Sequence, residues 1–369
     1  MKISLLCFDL SHNCLGRTYI LAKVLQRHYE VEIIGPLFGD KIWPPCDTHE
    51  FEYKFVYGSR YPNFGSGIKK LVDMISGDVI YANKLQPTSF GVGLLKKITS
   101  HKPLVLDIDD WEAGFCLRQK NDWLNPLGCG WTKFMEKLVG FADQITTVSS
   151  TLNEKYGGRG VFVPHGRDPN VLDPDKFSQS ESKEKWGLLN NKVIMFLGSV
   201  RPHKGLEDLI EAVKSLNDPQ IQIVIIDSLE DNLYLSDLYK INPFLKILGY
   251  QPFSKIAEIL AAADLVVLPQ KLDPLASFQI PAKIFDAMSM AKPIIATKVS
   301  DLSNILEGCG YLIEPSRPQD LAERIKYVLD NVSESQALGQ RARSKMISEY
   351  SFDKMEEVLL GVFSKYSKN

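Results

Sequence analysis

The sequence predicts an α/β fold of two doubly wound, Rossmann-like domains facing across a cleft, on three observations. Short apolar runs alternate with amphipathic helical patterns along the whole chain, the pattern of parallel sheets covered by helices. The 369 residues exceed what a single core usually fills. Between 164 and 186 the apolar periodicity is lost, and Pro164, Gly166, Pro169 and Pro174 gather with a run of Ser, Glu and Lys, which marks a linker. The domains are therefore placed at 1–175 and 186–350, with the terminal helix 352–369 able to pack back on the first.

In chain order, residues 2–8 are nearly all apolar and read as a buried first strand, followed by a polar turn at 11–16. A helix at 19–25 leads to a second strand at 31–35. Further strands fall at 78–82, 103–107, 144–148 and 161–163, with helices at 89–98, 133–141 and 150–156 between them. The second half repeats the pattern, with strands at 193–198, 221–227, 244–248, 265–268 and 293–297. Its helices are placed at 206–216, 254–262 and 282–290, and the chain beyond Pro318 is helical. Sheets of this kind bind ligands outside the carboxyl ends of their strands, which makes the cleft the expected binding place.

Composition narrows the function. Forty-three Lys and Arg against forty-five Asp and Glu leave a formal charge of −2, so no basic field exists to attract nucleic acid. The six cysteines include no C-x-x-C pair, and reduced thiols are expected, with neither a disulfide framework nor a zinc knuckle. The first apolar run is too short for a signal-peptide core, and no stretch approaches the ~18 uncharged residues of a spanning helix. A cytoplasmic location follows as an expectation, with the Asn331 sequon idle.

Two segments carry the chemistry. In Phe196-Leu-Gly-Ser-Val-Arg-Pro-His-Lys-Gly-Leu-Glu a strand ends at Gly198, a short loop presents Arg201 and Lys204, and a helix begins near Gly205. Two cations and the positive end of a helix suit a diphosphate, whereas the bland alternative is a solvated basic turn. The spacing is not that of a Walker loop. In Gln279-Ile-Pro-Ala-Lys-Ile-Phe-Asp, Pro281 opens a helix on which Lys283 and Asp286 share a face. There a carboxylate can accept ribose hydroxyls while the cation meets phosphate; a surface ion pair is the alternative.

Together these residues resemble the retaining glycosyltransferases of family four, the glycosyl transferases group 1, whose architecture is the twin-Rossmann GT-B fold. Residues 142–150 with Phe162-Val-Pro-His-Gly-Arg-Asp-Pro are similar to its strand-Ser segment and linker motif, with His165 in place of Asn. Leu248-Gly-Tyr-Gln-Pro-Phe and Ala261-Ala-Ala-Asp-Leu-Val-Val-Leu-Pro resemble its base-binding turn and the strand that follows. The resemblance places Lys204 and Arg201 on the donor diphosphate and Asp286 on the donor ribose, with Gly16, Gly198, Tyr250 and Lys283 also in the donor site. The sequence departs from the family elsewhere too: Ser199 stands where an Arg is frequent, Phe278 stands in the first acidic position of E-x7-E, no His lies near Asp109, and only Gly16 remains of the N-terminal glycine-rich loop. A branch with P-x-K-x-x-[DE] is the nearer match.

Asp109 and Asp110 end the strand at 103–107 and are assigned to orienting the acceptor hydroxyl. Asp107-Ile-Asp109 also matches the short D-x-D of metal-dependent transferases, but with cations offered by the second half no divalent ion or other cofactor is expected. Trp111, Trp123 and Trp131 crowd the following segment with Phe115, Phe134, Arg118 and Lys120, either as the small core of a long loop or as an acceptor or membrane contact. The partners implied are a nucleotide-sugar donor and a carbohydrate, lipid-linked or small-molecule acceptor, with peripheral contact at the inner membrane face as an added expectation and the oligomeric state left open. The alternatives are a sugar-nucleotide 2-epimerase of the same architecture and a non-catalytic subunit that binds a sugar nucleotide. A dehydrogenase is disfavoured because Gly91-Val-Gly93 lies in a helical pattern and lacks a third glycine.

Overall fold

The computed structural model describes residues 1–117, 119–198, 200–227, 232–274 and 276–367. Arg118 of the aromatic segment and Ser199 of the phosphate loop lie outside the described residues. The chain forms two compact units, Met1–His165 with Phe352–Asn369, and Gly166–Ser351.

The first unit runs β1 (Lys2–Leu6), α1 (Leu15–Leu25), β2 (Glu30–Leu37), β3 (Tyr53–Tyr57), α2 (Gly65–Met74), β4 (Val79–Asn83), α3 (Val92–Ser100) and β5 (Leu104–Ile108). It continues with α4 (Glu112–Phe115), α5 (Cys129–Lys137), β6 (Gln144–Thr147), α6 (Ser150–Lys155) and β7 (Gly160–Phe162). Among the described residues its strands pair in parallel in the order β3-β2-β1-β4-β5-β6-β7. Strand order reverses between β1 and β4, which is where such a sheet opens a crevice. The strand β3 was not foreseen: it is an edge strand with Phe55 and Tyr57 exposed, so it lacks the uniform apolar run that marks the buried strands.

One buried ion pair organises this sheet. Arg17 of α1 donates to both oxygens of Asp107 on β5, at 3.0 and 2.9 Å, and to the carbonyls of Val163 and Pro164 at 3.0 and 2.7 Å. Asp107 also accepts from Asn83 at 2.9 Å and Thr146 at 2.7 Å on the flanking strands. Both charges are enclosed, and both Asp107 oxygens accept hydrogen bonds, which is what a buried carboxylate requires.

The expectation of reduced thiols is corrected by a disulfide between Cys116 and Cys129. They stand thirteen positions apart, and no short motif announces the pair; the ends of α4 and α5 bring their Cα atoms to 5.3 Å. Cys7, Cys14, Cys46 and Cys309 are free and buried.

The second unit runs α7 (Gln179–Lys185), β8 (Lys192–Phe196), α8 (Leu206–Leu216), β9 (Ile221–Ile225), α9 (Leu233–Lys240), β10 (Leu245–Ile247) and α10 (Phe253–Ala261). There follow β11 (Leu265–Leu268), α11 (Lys283–Ser289), β12 (Ile294–Thr297), α12 (Leu302–Ile305), β13 (Tyr311–Ile313), α13 (Pro318–Asp330) and α14 (Val332–Tyr350). The described strands are again parallel, in the order β10-β9-β8-β11-β12-β13, with the switch point between β8 and β11. Alternate residues of β8 feed two cores: Val193 and Met195 enter one, Ile194 and Phe196 the other, so helices cover both faces. The stretch read as a linker is part of this unit from Gly166 onward, with Leu172 buried in its core and Phe177 and Trp186 packed against it.

The last helix, α15 (Phe352–Phe363), returns to the first unit. Its residues Phe352, Met355, Leu359 and Val362 repeat at helical spacing and are buried in the same core as Leu15, Leu21 and Leu25 of α1. No helix of the described residues is long and apolar enough to cross a membrane.

Candidate functional site

At the carboxyl end of β8 the chain turns sharply at Gly198, whose φ of +111° favours glycine. The loop beyond it is pinned by Asp227, which accepts from the Val200 backbone at 2.8 Å and from Asn232 at 3.0 Å. Arg201 then caps a single 3₁₀ turn, Pro202–Lys204, and stands exposed. Gly205 follows at φ +75°, and a Cβ there would stand 1.8 Å from the Pro269 carbonyl oxygen, so glycine is required twice over. The close approach locks the turn against the segment leaving β11, and the Lys271 backbone donates to His203 at 3.0 Å. The first turn of α8 carries Glu207 and Asp208, with Lys271 at 2.7 and 3.6 Å from them. The positive end of the helix is thus met by the chain's own carboxylates, themselves paired with Lys271.

The second motif meets the first. Lys204 Nζ donates to Gln279 Oε1, so the loop after β8 and the segment leading into α11 are joined across 75 residues of sequence. The helix begins at Lys283, two residues later than Pro281 suggested, and Lys283 keeps its ammonium partly exposed. The Asp286 carboxylate, expected to accept from a ribose, is fully buried, pairing with Arg167 Nε and lying 3.4 Å from Lys283 Nζ. Arg167 also donates to the carbonyls of Gly166 and Ala282, at 2.9 and 3.1 Å. Burial pushes the Asp286 carboxyl up, but Arg167 and Lys283 outweigh it and hold it below its ordinary value. Phe278 lies in the short turn Ala276–Phe278, and Tyr250 is exposed beyond Gly249, which has φ +68°.

In the first unit, Asp109 and Asp110 follow β5 and share one cation with Glu112. Lys84 Nζ stands 2.8, 2.6 and 2.7 Å from Asp109, Asp110 and Glu112. These three carboxylates are spaced so that they could hold a metal ion, but the ammonium is within hydrogen-bond distance of each. Asp107 is not among them, being committed to Arg17, so the D-x-D does not act as a unit. Burial pushes the Asp109 carboxyl up to about 7 against the pull of Lys84, with Asp110 and Asp107 adding repulsion. Burial alone would lower Lys84, yet the three carboxylates hold it well above its ordinary value. Gly16 lies within α1, where a Cβ would stand 3.2 Å from the Trp43 ring, so packing accounts for it.

The aromatic segment forms a cluster of its own. Trp131 lies 5.3 Å from Trp123 and 5.6 Å from Tyr61 between ring centroids, and its indole N–H donates to the Trp123 carbonyl. Trp123, Leu124 and Phe134 remain substantially exposed.

Sequence reasoning passed over Lys84, Arg167 and Gln279. Lys84 sits at φ +68° after β4 with nothing in the sequence to mark it, whereas Arg167 and Gln279 lie inside the quoted motifs and could have been weighed as partners of the charges beside them.

Two outcomes follow from these charges. The folded chain holds the Asp109 proton to about pH 7, whereas the unfolded chain releases it near the ordinary value of 3.8. The folded state therefore binds more protons in that window, and Asp109 costs stability progressively as pH rises from about 4 to 7. Urea titrations should show Asp109→Asn gaining on the wild type across this range; a constant difference would contradict the assignment. Asp286 has the opposite sign, its contribution being present above the ordinary carboxyl value and lost as pH falls. Removing it strands the buried Arg167, so Asp286→Ala should lose about 3–5 kcal/mol in urea denaturation at neutral pH. A loss under about 1 kcal/mol would show the pair to be dispensable.

With this geometry in place, comparison with known proteins is informative. The family described as glycosyl transferases group 1 matches residues 178–345. An uncharacterized glycosyltransferase of Methanocaldococcus jannaschii is 28% identical over 305 residues, 78% of this chain and 75% of that protein. The alpha-D-kanosaminyltransferase of Streptomyces kanamyceticus is 24% identical over 195 residues, covering 50% of this chain and about half, 48%, of that protein. Anabaena HepE, solved in complex with UDP and glucose, superposes with a TM-score of 0.81 at 20% identity, covering 99% of this chain and 100% of its own. The likeness to HepE shows the fold, two parallel-sheet α/β domains of the GT-B kind, while the matched segment coincides with the unit that carries Gly198, Lys204, Gln279 and Lys283. Over residues 178–345, within that unit, the chain matches the glycosyl transferases group 1 family.

Proposed function

We propose that the chain is a glycosyltransferase that moves a sugar from a nucleotide-activated donor to a hydroxyl acceptor with retention of anomeric configuration. The observation that carries this is the hydrogen bond between Lys204 and Gln279, which draws two cation-bearing segments together beyond the β8 and β11 carboxyl ends. Arg201, Lys204 and Lys283 supply the positive charge that a leaving diphosphate needs. In the reaction favoured for retention, the leaving diphosphate oxygen takes the acceptor proton as the glycosidic bond breaks and the new bond forms on the same face. Catalysis is then mainly positioning and stabilisation of charge on the leaving group. No divalent ion is required, because side-chain cations provide that charge.

The acceptor is assigned to the first unit, where Asp110 is the most exposed of the three carboxylates around Lys84 and is suited to accept from a hydroxyl. A carbohydrate, a small molecule or a lipid-linked sugar all present such a hydroxyl. A lipid-linked acceptor would give the exposed Trp123, Leu124 and Phe134 a role at a membrane surface. A uridine diphosphate sugar is the first donor to test, since HepE is seen with UDP-glucose.

Incubation with a panel of sugar nucleotides, with assay of free nucleoside diphosphate and of product mass, separates the alternatives. Transfer gives a heavier product; a 2-epimerase gives an isomer without an acceptor; a binding subunit releases nothing. Once a donor is found, Lys204→Ala should lower turnover about 10²–10³-fold while leaving thermal stability near that of the wild type. Activity within a few-fold of wild type would contradict the phosphate role. The wild-type rate should survive EDTA, and complete loss restored by magnesium or manganese would return the carboxylates at Lys84 to consideration as metal ligands.

A further inference from the structure

We infer that the side-chain carboxamide of Gln270 reads hydroxyl groups of the transferred sugar, an assignment that rests on the donor reading of the second unit. Gln270 lies two residues beyond β11, on one side of the switch point, opposite the loop that follows β8. Its backbone is held from three directions. Thr297 Oγ1 at the end of β12 donates to the Gln270 carbonyl at 2.7 Å. On one side of it the Pro269 carbonyl is pressed against Gly205, and on the other the Lys271 backbone donates to His203. The turn that carries Lys204 and the chain at Gln270 are therefore one fixed piece.

The side chain contrasts with this anchorage. Gln270 is 1% exposed, and neither its Oε1 nor its Nε2 has a hydrogen-bond partner. A buried amide with both ends unmet costs stability that Met or Leu, of similar volume, would not. Such a cost beside a candidate site points to a partner supplied by a ligand. The chemistry of that partner follows from the amide, which offers donors at Nε2 and an acceptor at Oε1. Phosphate oxygens only accept and would leave Oε1 unpaired, and the neighbouring cations already serve them. A hydroxyl accepts and donates, and two adjacent sugar hydroxyls satisfy both ends of the amide. Both amide atoms are closed to water as the chain stands, so pairing requires the side chain to turn toward the donor, for which it has three rotatable bonds.

Calorimetric titration of the full chain tests this with a matched pair of probes: whichever of UDP-glucose, UDP-N-acetylglucosamine and GDP-mannose the wild type binds most tightly, and its parent diphosphate. Gln270→Met should weaken the nucleotide sugar five- to thirtyfold, the loss of one or two hydrogen bonds, and leave the diphosphate within twofold. Its melting temperature should stay level or rise, since two unmet polar atoms are gone, whereas a purely structural glutamine would lower it. Gln270→Leu provides the same comparison should the Met variant fail to fold. Retention of both affinities, or a parallel loss of both, would overturn the assignment. Failure of the wild type to bind any of these diphosphates would instead overturn the donor reading on which it rests.

Discussion

The described strands of both sheets run parallel to their neighbours, and this constraint decides where polar chemistry can lie. Parallel strands need a crossover on a face, so helices cover the sheets and the strand carboxyl ends collect along one edge. Loops at that edge are the places where a side chain can be held rigidly at its base and still meet a ligand. Gly198, Lys204 and Gln270 occupy such loops in the second unit, and Lys84, Asp109 and Asp110 occupy them in the first.

Charge brought into these edges must be balanced, and the chain does so with local clusters. Arg17 and Asp107, Lys84 with its three carboxylates, and Arg167 with Asp286 are all largely removed from water. Pairs of this kind contribute little net stability against apolar replacements, but each is expensive to break. Their consequence is geometric: they tie down the backbone at the strand ends, while Arg201 stays exposed and Lys283 partly so. The burial of Asp286 belongs to this logic. Its carboxylate pairs with Arg167, which in turn donates to the carbonyl of Ala282 at the start of α11.

Much of this was legible in the sequence, for identifiable reasons. Strands such as β8 and β11 are buried on both faces, so they appear as continuous apolar runs between turn residues. Gly205 and Lys204 were visible because glycine at a strand-to-helix turn and a lysine beside it are local signals. Local signals do not report partners. The disulfide joins cysteines thirteen residues apart without a motif, the edge strand β3 lacks a continuous apolar run, and the fate of Asp286 depends on an arginine 119 residues away. Gln270 was invisible for the same reason: an unmet amide can be recognised only when its neighbours are known.

The central claim is that the second unit holds the nucleotide diphosphate between the loop after β8 and the segment before α11. Hydrogen–deuterium exchange with and without saturating UDP tests it most directly, because backbone amides report contact along the whole chain. The account predicts protection concentrated at residues 200–205, 270–271 and 279–286. Protection centred instead on residues 84 and 109–112, with the second unit unchanged, would contradict it.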